Sequence, residues 1–322
     1  MVKDIIILHN RLNPKPTIDE EDVMIQVNLI SDILISMDYR VKVMDIGYDI
    51  YKDIEAVENE KPDLVFNLVE TGFNKGELLY IVPGLLKMKK IPYTGVPVEG
   101  LFITTNKVLA KNQMKLTGIP TPGWYSIHET DLLDKETRYL LKPTCEDGSV
   151  GLNDKAVYYG QDPELPKKVK RINSSHYFLE EYIHGREFSI GLLAGDQGPS
   201  VLPTGEIVFY NFKPEQPKIL GYKAKWHRST PEYHNTVREF STIGGTPMNQ
   251  RMQDISIKCW EVFGLKGYAR VDFRVDEKAN PYVIEINGNP CISPDSGYFA
   301  ACDMVGISPQ EIVERIINDT NF

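Results

Sequence analysis

The chain has 322 residues, 42% of them hydrophobic, so it can bury more than one core; at about 100–200 residues per domain, two or three domains are expected. A formal charge of −9 and a pI near 5.3 argue against a nucleic-acid partner, because a phosphate-neutralising surface needs an excess of Lys and Arg. No apolar run nears the ~20 residues of a membrane span, and the run at 5–8 is far short of a signal-peptide core, with Asp4 standing where that region should be basic.

In chain order, residues 5–8 read as a buried strand. Residues 20–37 read as an amphipathic helix with Val23, Val27, Ile30, Ile33 and Leu34 on one stripe. Residues 41–44 and 64–67 are further short apolar strands, with helical patterns between them. Such alternation predicts a parallel sheet flanked by helices over about residues 1–95. Ligands of these sheets sit at the carboxyl ends of the strands, which places 67–76 at a mouth. The first strand is not followed by G-x-G-x-x-G, so a Rossmann dinucleotide site has no support. Turn residues at Ile91-Pro-Tyr-Thr-Gly and Thr117-Gly-Ile-Pro-Thr-Pro-Gly open a second unit, about 96–182, of short strands around a glycine-containing loop. A larger unit, 183–322, ends in a helix at 309–318. Cys145, Cys259, Cys291 and Cys302 lack C-x-x-C spacing, so neither a zinc site nor a disulfide framework is indicated, and a cytoplasmic location is expected.

The chemistry-bearing segments start at Lys107, which by itself would be a solvated lysine or a helix-start residue. At 139–151 a strand delivers Lys142 into a turn-rich loop. Backbone N–H groups freed by Gly148, Ser149 and Gly151 could cradle phosphates there, although a plain surface hairpin has the same look. At 178–190 two strands join through Gly185, either as a hairpin or as a hinge between domains. The richest segment is 269–290, which reads as a hairpin around Asp-Glu-Lys-Ala-Asn-Pro. Arg270 and Asp272 share a face of one strand, as do Glu285 and Asn287 on the other, opposite Val271, Phe273, Ile284 and Ile286. A solvent face is usually Lys, Thr and Ser; three hard oxygen ligands beside an arginine suit Mg²⁺ holding nucleotide phosphates.

Taken in this order, the segments resemble the ATP-grasp superfamily, and most closely its D-alanine–D-alanine ligase branch, from about residue 62 to Pro290. The resemblance implies an α/β (α+β) fold: an N-terminal parallel α/β domain, then two α+β subdomains enclosing ATP. It implies that Lys107, Lys142 and the loop at Ser149 hold the ATP phosphates, that Glu180, Glu181 and Ile183 line the adenine pocket, and that Glu187 binds the ribose. Asp272, Glu285 and Asn287 match the ligands of Mg²⁺, for which Mn²⁺ can substitute. Arg270 matches the arginine that stabilises a tetrahedral oxyanion. Lys225 matches a mobile-loop lysine that reaches the γ-phosphate, with Lys223 the alternative. Ser296 matches the serine that receives the second substrate's carboxylate.

The departures gather at the substrate side. The branch's Gly-Gly-x-Ser-x-Glu start is here Leu8-His-Asn-Arg-Leu-Asn-Pro, leaving Glu20 or Glu21 as the nearby acid. A loop serine is Gly148, a tyrosine is Trp226, a His-Gly is Glu70-Thr71, and an oxyanion-donating glycine is Cys291. No histidine pairs with Cys291 in sequence, so it reads as a packing residue rather than a nucleophile. His9 could touch substrate but reads more readily as strand-end packing, and Glu70 and Glu77 read either as acids that could meet an ammonium group or as solvated loop charges. The expected activity is an ADP-forming acid–amino-acid ligase working through an acyl phosphate on small-molecule amino-acid or carboxylate substrates, with a changed amino acid or small peptide as substrate. A nucleotide-binding regulatory protein without turnover and an acyl-phosphate-forming kinase are the alternatives. Homodimer formation, common among related ligases, is left open by the sequence.

Overall fold

The computed structural model of the chain describes residues 4–321 apart from 74, 146–155, 173–175, 214 and 241. Near the N-terminus, Asp4–Asn10 is the central strand of a three-stranded parallel sheet, between Arg40–Ile46 and Leu64–Leu68. Parallel neighbours require crossovers, and the helices Ile18–Ser36 and Ile50–Glu60 supply them. The first helix starts two residues earlier than its apolar stripe suggests because Thr17 N donates to Glu20 Oε2 at 2.9 Å, capping the start. Its stripe, Val23, Val27, Ile30, Ile33 and Leu34, is buried against Ile5, Ile7 and Phe66. Tyr298, Ile312 and Ile316 from the helices Gly297–Met304 and Pro309–Asn318 join the same core. The end of the chain therefore packs on its beginning. Asn321 and Tyr93 exchange backbone hydrogen bonds of 3.0 and 3.2 Å, and the Asn321 amide donates to Gly95 O at 2.7 Å.

Two antiparallel sheets follow. The strands Trp124–Ser126, Tyr177–Glu181, Arg138–Pro143 and Val157–Tyr159 form a four-stranded sheet in that spatial order. In the six-stranded sheet Thr236–Phe240, Gly205–Phe209, Arg186–Leu193, Tyr268–Val275 and Pro281–Gly288 lie side by side, and Ser200–Val201 pairs with the far end of Arg186–Leu193. Phe188, Ile190, Val271, Phe273, Val283 and Ile286 form its buried face. Residues of the helices Val98–Thr105, Lys107–Thr117 and Pro247–Val262 cover that face, among them Leu101, Met114 and Met252.

The hairpin expected at 269–290 is present, with Arg270 opposite Asn287 and Asp272 opposite Glu285. Its turn is tied by Asp276 Oδ1, which accepts from Lys278 N at 2.9 Å and Asn280 N at 2.8 Å. The segment 178–190 is not a hairpin: Tyr177–Glu181 belongs to the four-stranded sheet and Arg186–Leu193 to the six-stranded one. The intervening residues cross between sheets over the end of Tyr268–Val275. Gly185 has φ +144° there, and a Cβ on it would stand 2.0 Å from Val275 O. Only glycine accepts both demands cheaply. Among the described residues no helix is long and apolar enough to cross a membrane.

Candidate active site

The six-stranded sheet turns its polar face toward the four-stranded sheet, and a cavity of about 720 Å³ lies against it. Lys107, Lys142, Glu180, Glu181, Ile183 and Glu187 line one end. Lys225, Arg270, Asp272, Glu285 and Ser296 line the remainder. Strand alternation explains the floor: Arg270, Asp272 and Arg274 project on one side, with Gly191, Ser189 and Glu187 of the neighbouring strand opposite them in register. Asn287 stands just off the lining, and its Nδ2 donates to Asp272 Oδ2 at 2.9 Å. Ser149 and its glycine loop lie outside the described residues.

At the end nearest the inter-sheet crossing, Glu180 is buried between two lysines. Lys111 Nζ is 2.7 Å from its Oε1, and Lys142 Nζ is 3.5 Å from its Oε2. Burial opposes ionisation of Glu180, but Lys111 and Lys142 outweigh it and hold the carboxyl below the usual range. Burial lowers the Lys111 ammonium against the pull of Glu180. Lys111 is absent from the sequence-based site. It stands one turn after Lys107 on the same helix face, so the i,i+4 spacing was the signal that could have found it. Lys142 also donates to Ile284 O at 3.3 Å, tying the four-stranded sheet to the hairpin.

In the middle of the floor, Arg270 grips Asp272 with two 2.8 Å hydrogen bonds, and Lys107 Nζ lies 2.7 Å from Glu285 Oε1. Burial raises Glu285, yet Lys107, Lys142 and Arg270 prevail and bring it down to about 2. Asp272, Glu285 and Asn287 together offer two carboxylates and an amide oxygen on one face. No group of three or more His, Cys, Asp or Glu able to hold a metal occurs among the described residues. The set suits a hard cation that takes its remaining oxygens from phosphate or water, and it does not enclose one alone.

The far end differs from expectation in its acids. Glu21 and Asp22 of the first helix line the cavity. Glu70 does not; it accepts from Gln26 Nε2 at 3.3 Å. Glu77 pairs with Lys75 at 3.8 Å instead. Glu20 is spent on the helix cap. His9 is 7% exposed, touches Asn10 O through Nδ1 at 2.8 Å, and stays off the cavity, as strand-end packing requires. Cys291 Sγ donates to Asp22 Oδ2 at 3.0 Å. Burial first, then Asp22, pushes the thiol up to about 12, so at neutral pH it is no nucleophile. Ile292 N donates to Gln26 Oε1 at 3.0 Å, a second tie between the first helix and the segment after the hairpin.

Ser296 caps the helix Gly297–Met304 by accepting from Phe299 N at 3.2 Å, which leaves its hydroxyl hydrogen available as a donor. Lys225 belongs to a short helix, Tyr222–Trp226, with its ammonium 5.1 Å from the Trp226 ring centre. Burial and the nearby Arg270 charge lower its affinity for a proton. Lys225 lines the cavity and Lys223 does not. Arg238 also faces the cavity and has no counterpart in the sequence-based site. Burial and Arg270 both lower its guanidinium.

A family model described as D-ala D-ala ligase C-terminus matches residues 116–318. An uncharacterised protein, y4sG, of Sinorhizobium fredii is 31% identical over 261 residues, covering 79% of this chain and 74% of its own. The D-alanine–D-alanine ligase of Aquifex aeolicus is 28% identical over 290 residues, 85% of this chain and 90% of its own. Among solved structures, the D-alanine–D-alanine ligase of Bacillus anthracis complexed with ATP superposes with a TM-score of 0.75 at 20% identity, over 99% of this chain and 97% of that one. D-alanyl-alanine synthetase A of Vibrio cholerae gives 0.75 at 15% identity, over 99% and 98%. With the fold matched end to end and the family model spanning most of the two antiparallel sheets, the chain belongs to the D-alanine–D-alanine ligase family of ATP-grasp proteins.

Proposed function

We propose that this protein is an ADP-forming ligase that joins the carboxylate of one amino acid to the amine of another, with ATP and Mg²⁺ held on the polar face of the six-stranded sheet. The observation that carries this is the gathering of Lys107, Lys142, Arg270, Asp272 and Glu285 from four separate elements around one cavity. Glu181, Ile183 and Glu187 would take the nucleoside, and the lysines its phosphates. Mg²⁺ held by Asp272, Glu285 and Asn287 would neutralise charge gathering on the transferring phosphoryl group. The γ-phosphoryl group passes to the donor carboxylate and ADP departs. The acceptor amine then attacks the acyl carbon, inorganic phosphate leaves, and an amide remains. Arg270, fixed by Asp272, stands ready to donate to the oxyanion of that second step.

The substrate end has two ionic poles, Glu21 and Asp22 against Lys225 and Arg238, which suits zwitterionic amino acids. The relatives named above as ligases or synthetases act, by name, on D-alanine, and they lend no support to another substrate. A changed side-chain preference rests only on Cys291, Trp226 and Asp22 standing at the substrate end, and we propose it on that ground. Incubation of the full chain with Mg²⁺-ATP and a panel of D- and L-amino acids tests both points. ADP release together with a dipeptide mass, abolished in Glu285→Gln, is the expected result. ADP-free incubations across the panel, D-alanine included, would sink the ligase reading; a D-alanyl-D-alanine product alone would sink the changed preference.

A further inference from the structure

Arg274 is 5% exposed and lies two residues beyond Asp272, on the same face of Tyr268–Val275 and directly opposite Glu187. Its guanidinium is fully engaged. Nε and Nη2 donate to Ile183 O at 3.1 and 2.8 Å, and Nη2 also reaches Gly185 O at 3.3 Å. Nη1 donates to Lys218 O at 2.9 Å and to Glu187 Oε2 at 3.2 Å. The plane lies 5.2 Å from the Tyr182 ring centre, and the Tyr182 hydroxyl accepts from Lys218 N at 2.9 Å. One side chain therefore joins the crossing between sheets, the acid at that end of the cavity, and the segment that leads to Lys225. Tyr182, Ile183, Glu187 and Lys218 all line the cavity.

We propose that Arg274 is a positioning residue for the nucleotide's ribose: it fixes the inter-sheet crossing and aims Glu187 so that the 2′- and 3′-hydroxyls are read. This rests on the nucleotide lying at this end of the cavity, as proposed above. An isolated buried carboxylate resists ionisation, and burial does raise Glu187; Arg274 is the cation that opposes this. A carboxylate held in one orientation accepts two hydroxyl hydrogens, and an analogue lacking one hydroxyl leaves an acceptor unpaired. Arginine is required by the geometry. Carbonyls of two separate segments and a carboxylate surround a planar fork with five N–H groups, and a lysine has three donors on one atom.

The test is the equilibrium affinity of the full chain for ADP and for 2′-deoxyADP by calorimetry, which needs no turnover. The wild-type protein should favour ADP by at least ~10-fold, because a site built around a hydroxyl rejects the analogue without it. Arg274→Met should bring the two nucleotides within about twofold by weakening ADP, with Arg274→Lys between. Glu187→Gln, which leaves Arg274 in place, should cut the preference as well and serves if Arg274→Met does not fold. An unchanged ADP preference in Arg274→Lys or Arg274→Met overturns the assignment, as does an unchanged preference in Glu187→Gln. Failure of the wild type to bind any adenine nucleotide would overturn the nucleotide reading itself, and this inference with it.

Discussion

Glu180 sits with one buried lysine at each carboxylate oxygen, and this arrangement has a stability consequence separate from any catalytic one. Replacing it by glutamine keeps the shape and removes the charge, leaving Lys111 and Lys142 buried and short of a counter-ion. Breaking a buried ion pair from one side typically costs about 3–5 kcal/mol, so Glu180→Gln should lower the free energy of unfolding by that much, read as a lower urea midpoint at an unchanged slope. Glu285 gives a pH signature. Its carboxyl ionises more readily folded, at about 2, than in an unfolded chain. The stability it contributes is therefore complete above the ordinary glutamate range near ~4.3 and is lost as pH falls through about 2. Glu285→Gln should flatten the acid limb of the stability curve in that window while leaving the limb above pH ~5 parallel to wild type. Arg270→Met removes the fixed donor and should reduce kcat by about 10²–10³, with ADP affinity little altered. The charged residues most legible in the sequence were those in short alternating runs, such as Arg270 with Asp272. Arg274 continues that same period within the hairpin and Lys111 repeats Lys107 one helical turn on, but their partners, Glu187 and Glu180, stand 87 and 69 residues away, and pairing at such separations is invisible to local spacing.

At the scale of elements, periodicity sufficed wherever an element is buried on a single face. The first helix and the hairpin at 269–290 obey their periods because each has one apolar side to hide. The segment 178–190 was ambiguous because two strands and a glycine describe a hairpin and a crossing equally well. What separates them is the sheet each strand joins, a choice made by Leu179 packing with Leu141 and Tyr139 and by Phe188 packing with Val271 and Phe273. The crossing depends on Gly185. Gly185→Ala would meet a strained backbone, about 1–3 kcal/mol from φ alone, and a carbonyl 2.0 Å from the new Cβ. We expect a lower melting temperature together with weaker ADP binding, because the carbonyls that Arg274 holds would shift. Loss of melting temperature with undiminished ADP affinity would show that the crossing and the nucleotide end are independent.

At the scale of the whole molecule, two of the places where the N-terminal unit meets the antiparallel sheets among the described residues have different consequences. The core under Ile312 and Ile316 is apolar and extensive, and it holds the chain's two ends together. The second place is polar: Gln26, 3% exposed, accepts from Ile292 N, while Asp22, one turn earlier, accepts from Cys291 Sγ. These two hydrogen bonds set where the acids of the first helix stand relative to the segment following the hairpin, so they act at the proposed substrate end and not at the proposed nucleotide end. Gln26→Ala should leave the buried Ile292 N–H without an acceptor, a loss of about 1–3 kcal/mol. The apolar core should keep the fold intact at that cost. With Asp22 no longer registered against Cys291, the Michaelis constant for the amino-acid substrate should rise at least ~10-fold, the loss expected of a site whose polar contacts go unpaired. ADP affinity, which the proposal assigns to Glu187, Arg274 and the lysines at the other end, should stay within about twofold of wild type. Steady-state kinetics and nucleotide calorimetry on the same preparation separate the two effects. An equal loss at both ends would mean that the first helix steers the whole cavity.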